Sequence, residues 1–147
     1  MLPDIRNDLM YLLNIIESIE KILLYSKNCS NAEAFYEMND QLNFNASLNL
    51  FATIGENIGK ISDKLKQVYS DIDWKQIKDL RNRVVHDYVN IDTLTIFDII
   101  KNDLTSLKNE LMNIIAIELD NGNFDSEEYK DAKKSFYYRH INFEGIK

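Results

Sequence analysis

The sequence predicts an all-α fold, an antiparallel bundle of four to five helices. Helix breakers are scarce, with four glycines in the whole chain and a single proline at Pro3. Apolar residues recur at three- and four-residue steps over most of the length, which lays a stripe along one side of a helix. Hydrophobic residues make up 45% and charged residues 28%, enough apolar material for one continuous core in 147 residues and too little length for two.

Over residues 4–26 the stripe is Ile5, Leu9, Leu12, Leu13, Ile16, Ile19 and Leu23, a first long helix. Ser30 or Asn31 then supplies a side-chain oxygen to cap a short second helix ending at Met38. A central helix is expected over residues 41–68, striped by Phe44, Leu48, Phe51, Ile54, Ile58, Ile61 and Leu65. It carries Gly55 and Gly59, each costing about 1 kcal/mol of propensity against alanine, so a neighbouring helix is expected to pack closely on that face. Asp71 or Asp73 caps a helix from Trp74 to His86 or Tyr88. A last long helix follows Asn90 to Asp92, striped by Phe97, Ile100, Leu104, Leu107, Leu111 and Ile114 or Ile115, and stops near Asn121-Gly122. One more helix is expected from Ser126 to Tyr138, with Tyr129, Ala132 and Phe136 on one side. Residues 1–120 thus read as the bundle and 121–147 as a C-terminal extension on the same domain.

Several function classes are disfavoured. The longest apolar runs fall far short of the roughly 20 residues of a membrane-spanning helix, so no membrane association is expected. Pro3, Asp4, Arg6 and Asp8 do not resemble a secretion signal, and a cytoplasmic location is expected. Cys29 is the single cysteine and His86 and His140 the two histidines, too few for a disulfide or a zinc cluster, and no metal or cofactor is expected. A net charge of −7 argues against coating nucleic acid through a broad basic face. Residues 75–88 nevertheless sum to +2, from Lys75, Lys78, Arg81 and Arg83 against Asp79 and Asp87, which leaves −9 for the remainder.

That basic island ends in Arg81-Asn82-Arg83-Val84-Val85-His86-Asp87-Tyr88, where arginines, an amide, a histidine and a tyrosine crowd together. At 100° per residue Asn82 and His86 share a face, as do Arg83 and Asp87, while Arg81 and His86 diverge by about 140°. Arg81 therefore needs its full reach, or another subunit, to act with His86. Read without function, the octet is a surface helix with an Arg83–Asp87 pair worth a few tenths of a kcal/mol.

The octet resembles the signature of the HEPN superfamily, an arginine followed after four to six residues by histidine with a polar residue, here Asn82, directly after the arginine. With Tyr88 two positions past His86 it looks like the HepT-like toxin branch, whose members pair with a minimal nucleotidyltransferase antitoxin. Ile54-Gly55-Glu56, Ile72-Asp73-Trp74 and Asp92 look like that branch too, and the resemblance covers about residues 1–118. It implies a two-fold homodimer with the motif helices lining a cleft, and endoribonuclease activity without metal. It also implies that Tyr88 accepts adenylyl groups from the antitoxin, which would set bulk and negative phosphate beside the RNA site. The residues beyond 120, His140 included, resemble nothing in the family.

The residue types suit that chemistry. Metal-free RNA cleavage needs a base for the ribose 2′-hydroxyl, a cation for the phosphorane and an acid for the leaving 5′-oxygen. An imidazole titrating near pH 6.5 makes His86 a base or an acid, and Arg81 can give two parallel hydrogen bonds to phosphate oxygens. One histidine serves one proton transfer, so two copies of His86 in a dimer would satisfy both. Asn82 and Arg83 rank as supporting residues, and Glu56 and Asp92 as weaker ones. Glu56 reads equally as a solvated carboxylate, Asp92 as a helix cap, and Tyr88 as a tyrosine half buried beside Val84. Two readings compete with the nuclease: a non-catalytic helical binding subunit of a nucleotidyltransferase, and a plain scaffold.

Overall fold

The computed structural model describes residues 5–146, without the side chains of Arg6 and Tyr88. After a 3₁₀ turn at Ile5–Asn7, the helices among the described residues are α1 (Asp8–Tyr25), α2 (Ala32–Glu37), α3 (Leu42–Lys60), α4 (Asp63–Val68), α5 (Trp74–His86), α6 (Thr93–Asn102), α7 (Leu104–Asp120) and α8 (Ser126–Lys134). Of the expected opening helix, Asp4 lies outside the described part and Ile5–Asn7 form the 3₁₀ turn, so the α-helix begins at Asp8. No helix among the described residues is long and apolar enough to cross a membrane.

Helices α1 and α3 form the centre of the bundle. They run antiparallel, because Asp8 meets Ser62, Asn14 meets Asn57, and the Tyr25 carbonyl accepts from Asn43. Their stripes close on one another through Leu9, Leu12, Ile16 and Ile19 from α1 and Leu48, Phe51, Ile54 and Ile58 from α3, all almost fully buried. Leu104, Leu111, Ile114 and Ile115 of α7 complete the core, and α5 packs on α3 from the other side.

The helix boundaries follow local capping chemistry, with three departures from the stripe. Asn31 accepts from the Ala34 N–H and starts α2 as expected. The central helix does not reach Val68. It ends at Lys60, because the buried Asp8 carboxylate accepts from both the Ser62 N–H, at 2.9 Å, and the Ser62 hydroxyl, at 2.5 Å. Ser62 in turn caps α4 through the Leu65 N–H. The last long helix is interrupted at Asp103 into α6 and α7. The final helix stops at Lys134, where Ser135 caps a separate 3₁₀ turn, Phe136–Tyr138, by accepting from the Tyr137 N–H.

The C-terminal residues pack on the bundle rather than leaving it. Phe124, Ala132, Tyr138, Ile141 and Ile146 are buried. The Tyr138 hydroxyl donates to Asn14 Oδ1 at 2.6 Å, and His140 meets the buried Glu17 carboxylate twice, through its backbone N–H at 3.0 Å and Nδ1 at 2.5 Å.

Candidate ribonuclease site

Helix α5 carries the site, and its start is fixed by two polar contacts. Asp73 accepts from the Gln76 N–H at 3.0 Å, and the Trp74 indole N–H donates back to the Tyr69 carbonyl at 3.1 Å. Of the alternatives left by the sequence, Asp73 is therefore the cap. The helix ends one residue past Val85, where the Asp87 N–H donates to the Arg83 carbonyl and the Asn90 side chain donates to Asp87 at 2.7 Å. A 3₁₀ turn, Tyr88–Asn90, leads on to α6.

Arg81 sits at the closest approach of α5 to α3. A Cβ built on Gly55 would overlap the Cβ and Cγ of Arg81, so Gly55 is the neighbour that lets the arginine stem lie against α3. Gly59, its partner in the sequence pattern, faces open space. Close packing thus explains Gly55, whereas nothing in the packing requires Gly59.

The Arg81 guanidinium is held on two sides, and its Nε is buried. One terminal nitrogen donates to Asn82 Oδ1 at 3.1 Å and the other to Glu56 Oε1 at 3.4 Å. The Nε–H finds no acceptor among the described residues. Glu56 is about half exposed and Arg81 about a third, so their ion pair contributes at most about 1 kcal/mol. Its consequence is positional: the fork is oriented, and its terminal nitrogens, in a side chain about a third exposed, keep further hydrogens for an incoming anion.

His86 lies five residues on, exposed in the last turn of α5, with Arg83 exposed before it. Arg81, Asn82 and Glu56 therefore form one group in this subunit, and His86 stands on the outer face of the same helix. The described contact of Asp87 is with Asn90. Asp92 accepts from the Leu94 N–H and the Thr95 hydroxyl, each at 3.0 Å, and caps α6. The side chain of Tyr88 lies outside the described part of the structure. Around the motif, Val85, Val89 and Leu94 are exposed, Val89 almost completely at 92%. A cleft of about 380 Å³ between α3, α5 and α7, lined by Phe51, Ile54, Ile77 and Leu80, contains neither Arg81 nor His86.

This arrangement sits within a match to the family model described as Ribonuclease HepT-like, which spans residues 15–114. The chain belongs to that family. Helices α3 and α5, with Glu56 and the whole octet, fall inside the matched span, as do α2, α4 and α6. A gamma-glutamylcyclotransferase and candidate RNase of Methanocaldococcus jannaschii is 30% identical over 111 residues, 76% of this chain, and the match covers 48% of that longer protein. A candidate RNase of the same organism is 27% identical over 71% of this chain and 84% of its own length. The probable ribonuclease HepT of Thermococcus cleftensis is 26% identical over 67% of this chain and 86% of its own. No solved structure gives a significant match. The family span stops at residue 114, so the contact of His140 with Glu17 lies between the matched span and a segment beyond it.

Proposed function

We propose that this chain is a metal-independent endoribonuclease, the toxin of a toxin–antitoxin pair, acting as a homodimer through Arg81 and His86. The observation that carries the reading is the partly exposed Arg81 fork, oriented by Asn82 and Glu56, on the same short helix as an exposed histidine, in a chain of the HepT-like family.

In the proposed reaction the ribose 2′-oxygen forms a bond to the adjacent phosphorus as His86 removes its proton. The phosphorus–O5′ bond breaks, and the 5′-oxygen takes a proton from the imidazolium of a second His86. The products are a 2′,3′-cyclic phosphate and a 5′-hydroxyl end, and no proton or electron is left over. Arg81 opposes the extra negative charge of the phosphorane, where a preorganised donor is most effective. Asn82 and Glu56 hold the fork, Arg83 adds positive field, and Asp92 supports the site through the start of α6.

A second copy of the chain supplies the second imidazole. Exposed Val85, Val89 and Leu94 beside His86 support that contact, since apolar groups clustered near a polar site gain by being covered. The partner that neutralises the toxin is a nucleotidyltransferase antitoxin: the Tyr88 oxygen, losing its proton, bonds to the α-phosphorus of ATP as the α–β phosphoanhydride bond breaks and pyrophosphate leaves. Incubation with that partner and ATP should add one adenylyl mass, absent in Tyr88→Phe.

The test of the nuclease is cleavage of a single-stranded RNA with chelator present, and again with the 2′-hydroxyl at the cut replaced by hydrogen. Cutting should persist with chelator and stop at the deoxy position. Dependence on added metal, or cutting of the deoxy strand, would reject the mechanism. A folded dimer that binds the nucleotidyltransferase tightly and never cleaves would favour the non-catalytic subunit instead.

A further inference from the structure

The C-terminal segment carries a feature that the Arg81/His86 site does not use. Phe136 is 76% exposed and Tyr137 is 56% exposed, although most other described aromatic rings are buried in or against the core. Both lie in one 3₁₀ turn that leads straight from the basic end of α8.

Cations surround these rings. The Arg139 guanidinium lies 4.4 Å from the Phe136 ring centre, and Lys21 of α1 lies 5.9 Å from that of Tyr137. Lys133 and Lys134 close α8 directly before the turn, and both are exposed. Residues 130–140 sum to +3, from Lys130, Lys133, Lys134 and Arg139 against Asp131, in a chain of −7. Of the acidic residues of α8, Glu127 and Glu128 stand at its opposite end and Asp131 lies in between.

The turn is rigidly seated. Tyr138, between the exposed rings and Arg139, is buried; its hydroxyl donates to Asn14, and its ring meets that of Tyr137 edge-on with centroids 4.9 Å apart. His140 is fastened to Glu17. Exposed aromatics held in place lose little freedom when a flat partner stacks on them, unlike aromatics on a mobile tail.

A series of side-chain contacts runs from the seat towards the candidate site. Asn14 donates to Asn57, which follows Glu56 in α3, and Glu56 holds Arg81. At 100° per residue along α3, Gly55 faces α5 and Asn57 faces α1, with the exposed Glu56 between them.

We propose that Phe136 and Tyr137, with Lys133, Lys134 and Arg139, form an accessory site for single-stranded RNA. Bases stack on the two rings while the cations take the phosphates. This combination of exposed rings and clustered positive charge suits a single strand, whose bases are free to stack, over a duplex. The inference rests on RNA being the substrate of the Arg81/His86 site and extends recognition into residues beyond the family span.

The test uses binding, so that it does not depend on cleavage. A fluorescent single-stranded RNA with 2′-O-methyl riboses is titrated against the full chain, Phe136→Ala/Tyr137→Ala and Lys133→Ala/Lys134→Ala, with circular dichroism confirming the fold. Loss of two exposed rings leaves the core intact, and affinity should fall at least about five-fold for each stacked base. The lysine variant should bind more weakly with a shallower salt dependence, by about 0.7 in log–log slope for each phosphate no longer neutralised. Unchanged RNA affinity in the folded aromatic variant would overturn the proposal, as would absence of binding by the unaltered chain. Loss of antitoxin binding by that variant with RNA affinity intact would likewise assign the patch to a protein and overturn it. If the chain cleaves RNA while the aromatic variant binds as before, the accessory site falls and the nuclease stands. If the chain binds RNA through these rings but never cleaves, the nuclease falls and the accessory site stands.

Discussion

Helices α1 and α5 are both amphipathic, yet they are held in opposite ways. Helix α1 buries an apolar stripe from Leu9 to Ile22 and even sinks Asp8, Glu17 and Ser18, with both carboxylates finding partners on distant elements. Helix α5 fully buries only Trp74 and Val84, lies along α3 with Ile77 and Leu80 partly covered and Gly55 at the closest approach, and is fixed at its start by a cap and an indole hydrogen bond. The scaffold helix is enclosed along its whole apolar stripe, whereas the helix of the candidate site packs on one side and keeps a polar face exposed. That division leaves Arg81, Asn82, Arg83 and His86 available to a substrate or a second subunit.

This contrast between the helices predicts a graded series of substitutions. Ile15→Ala in α1 removes a fully buried side chain and should destabilise the fold by about 2–5 kcal/mol, seen as a large drop in the denaturant midpoint. Gly55→Ala forces α3 and α5 apart at Arg81, so a loss of about 1–3 kcal/mol should accompany loss of RNA cleavage. A stable, fully active Gly55→Ala protein would show that the close approach is not what places the arginine.

Tyr138→Phe tests the seat of the C-terminal segment. It removes one hydrogen bond to Asn14 and should cost about 0.5–1.5 kcal/mol. Burial pushes the Tyr138 phenol up to about 12, with Tyr137, Glu128 and Glu17 adding to the shift. The folded chain therefore keeps a proton that the unfolded chain gives up near the ordinary value of 10.0. The corresponding stability is present below pH 10 and lost as pH rises towards 12, a decline that thermal melts should show diminished in Tyr138→Phe.

Glu56→Gln should change stability least, by under about 1 kcal/mol, because its ion pair is partly exposed. It should still lower the cleavage rate at saturating RNA, since the Arg81 fork loses an anchor. A melting temperature that falls while the rate stays constant would make Glu56 structural.

Much of the fold is legible in the chain because it is local. The stripes of α1 and α3 are read from residues three and four apart, and the octet is contiguous, so its helix and its polar crowd emerge together. Helix breaks set by distant partners are not legible. Ile61 and Leu65 continue the α3 stripe in register, and nothing near Ser62 announces that Asp8, 54 positions away, will capture it. The tail misleads for a related reason. Tyr129, Ala132 and Phe136 keep helical spacing, but Ser135 ends the helix and turns Phe136 outwards. The alternation of Lys133, Lys134 and Arg139 with Phe136, Tyr137 and Tyr138 is visible as a run of cations and rings, and its exposure is not. Pairing of Glu56 with Arg81, 25 residues apart, follows from the packing of α3 on α5 and from no spacing rule.

If His86 and Arg81 act on a ribose-adjacent phosphate, the ends of the RNA fragments report it directly. Mass spectrometry of products from the purified chain should find 2′,3′-cyclic phosphate and 5′-hydroxyl termini, with no products from His86→Ala. Fragments ending in 3′-hydroxyl and 5′-phosphate, or unchanged products from His86→Ala, would contradict it.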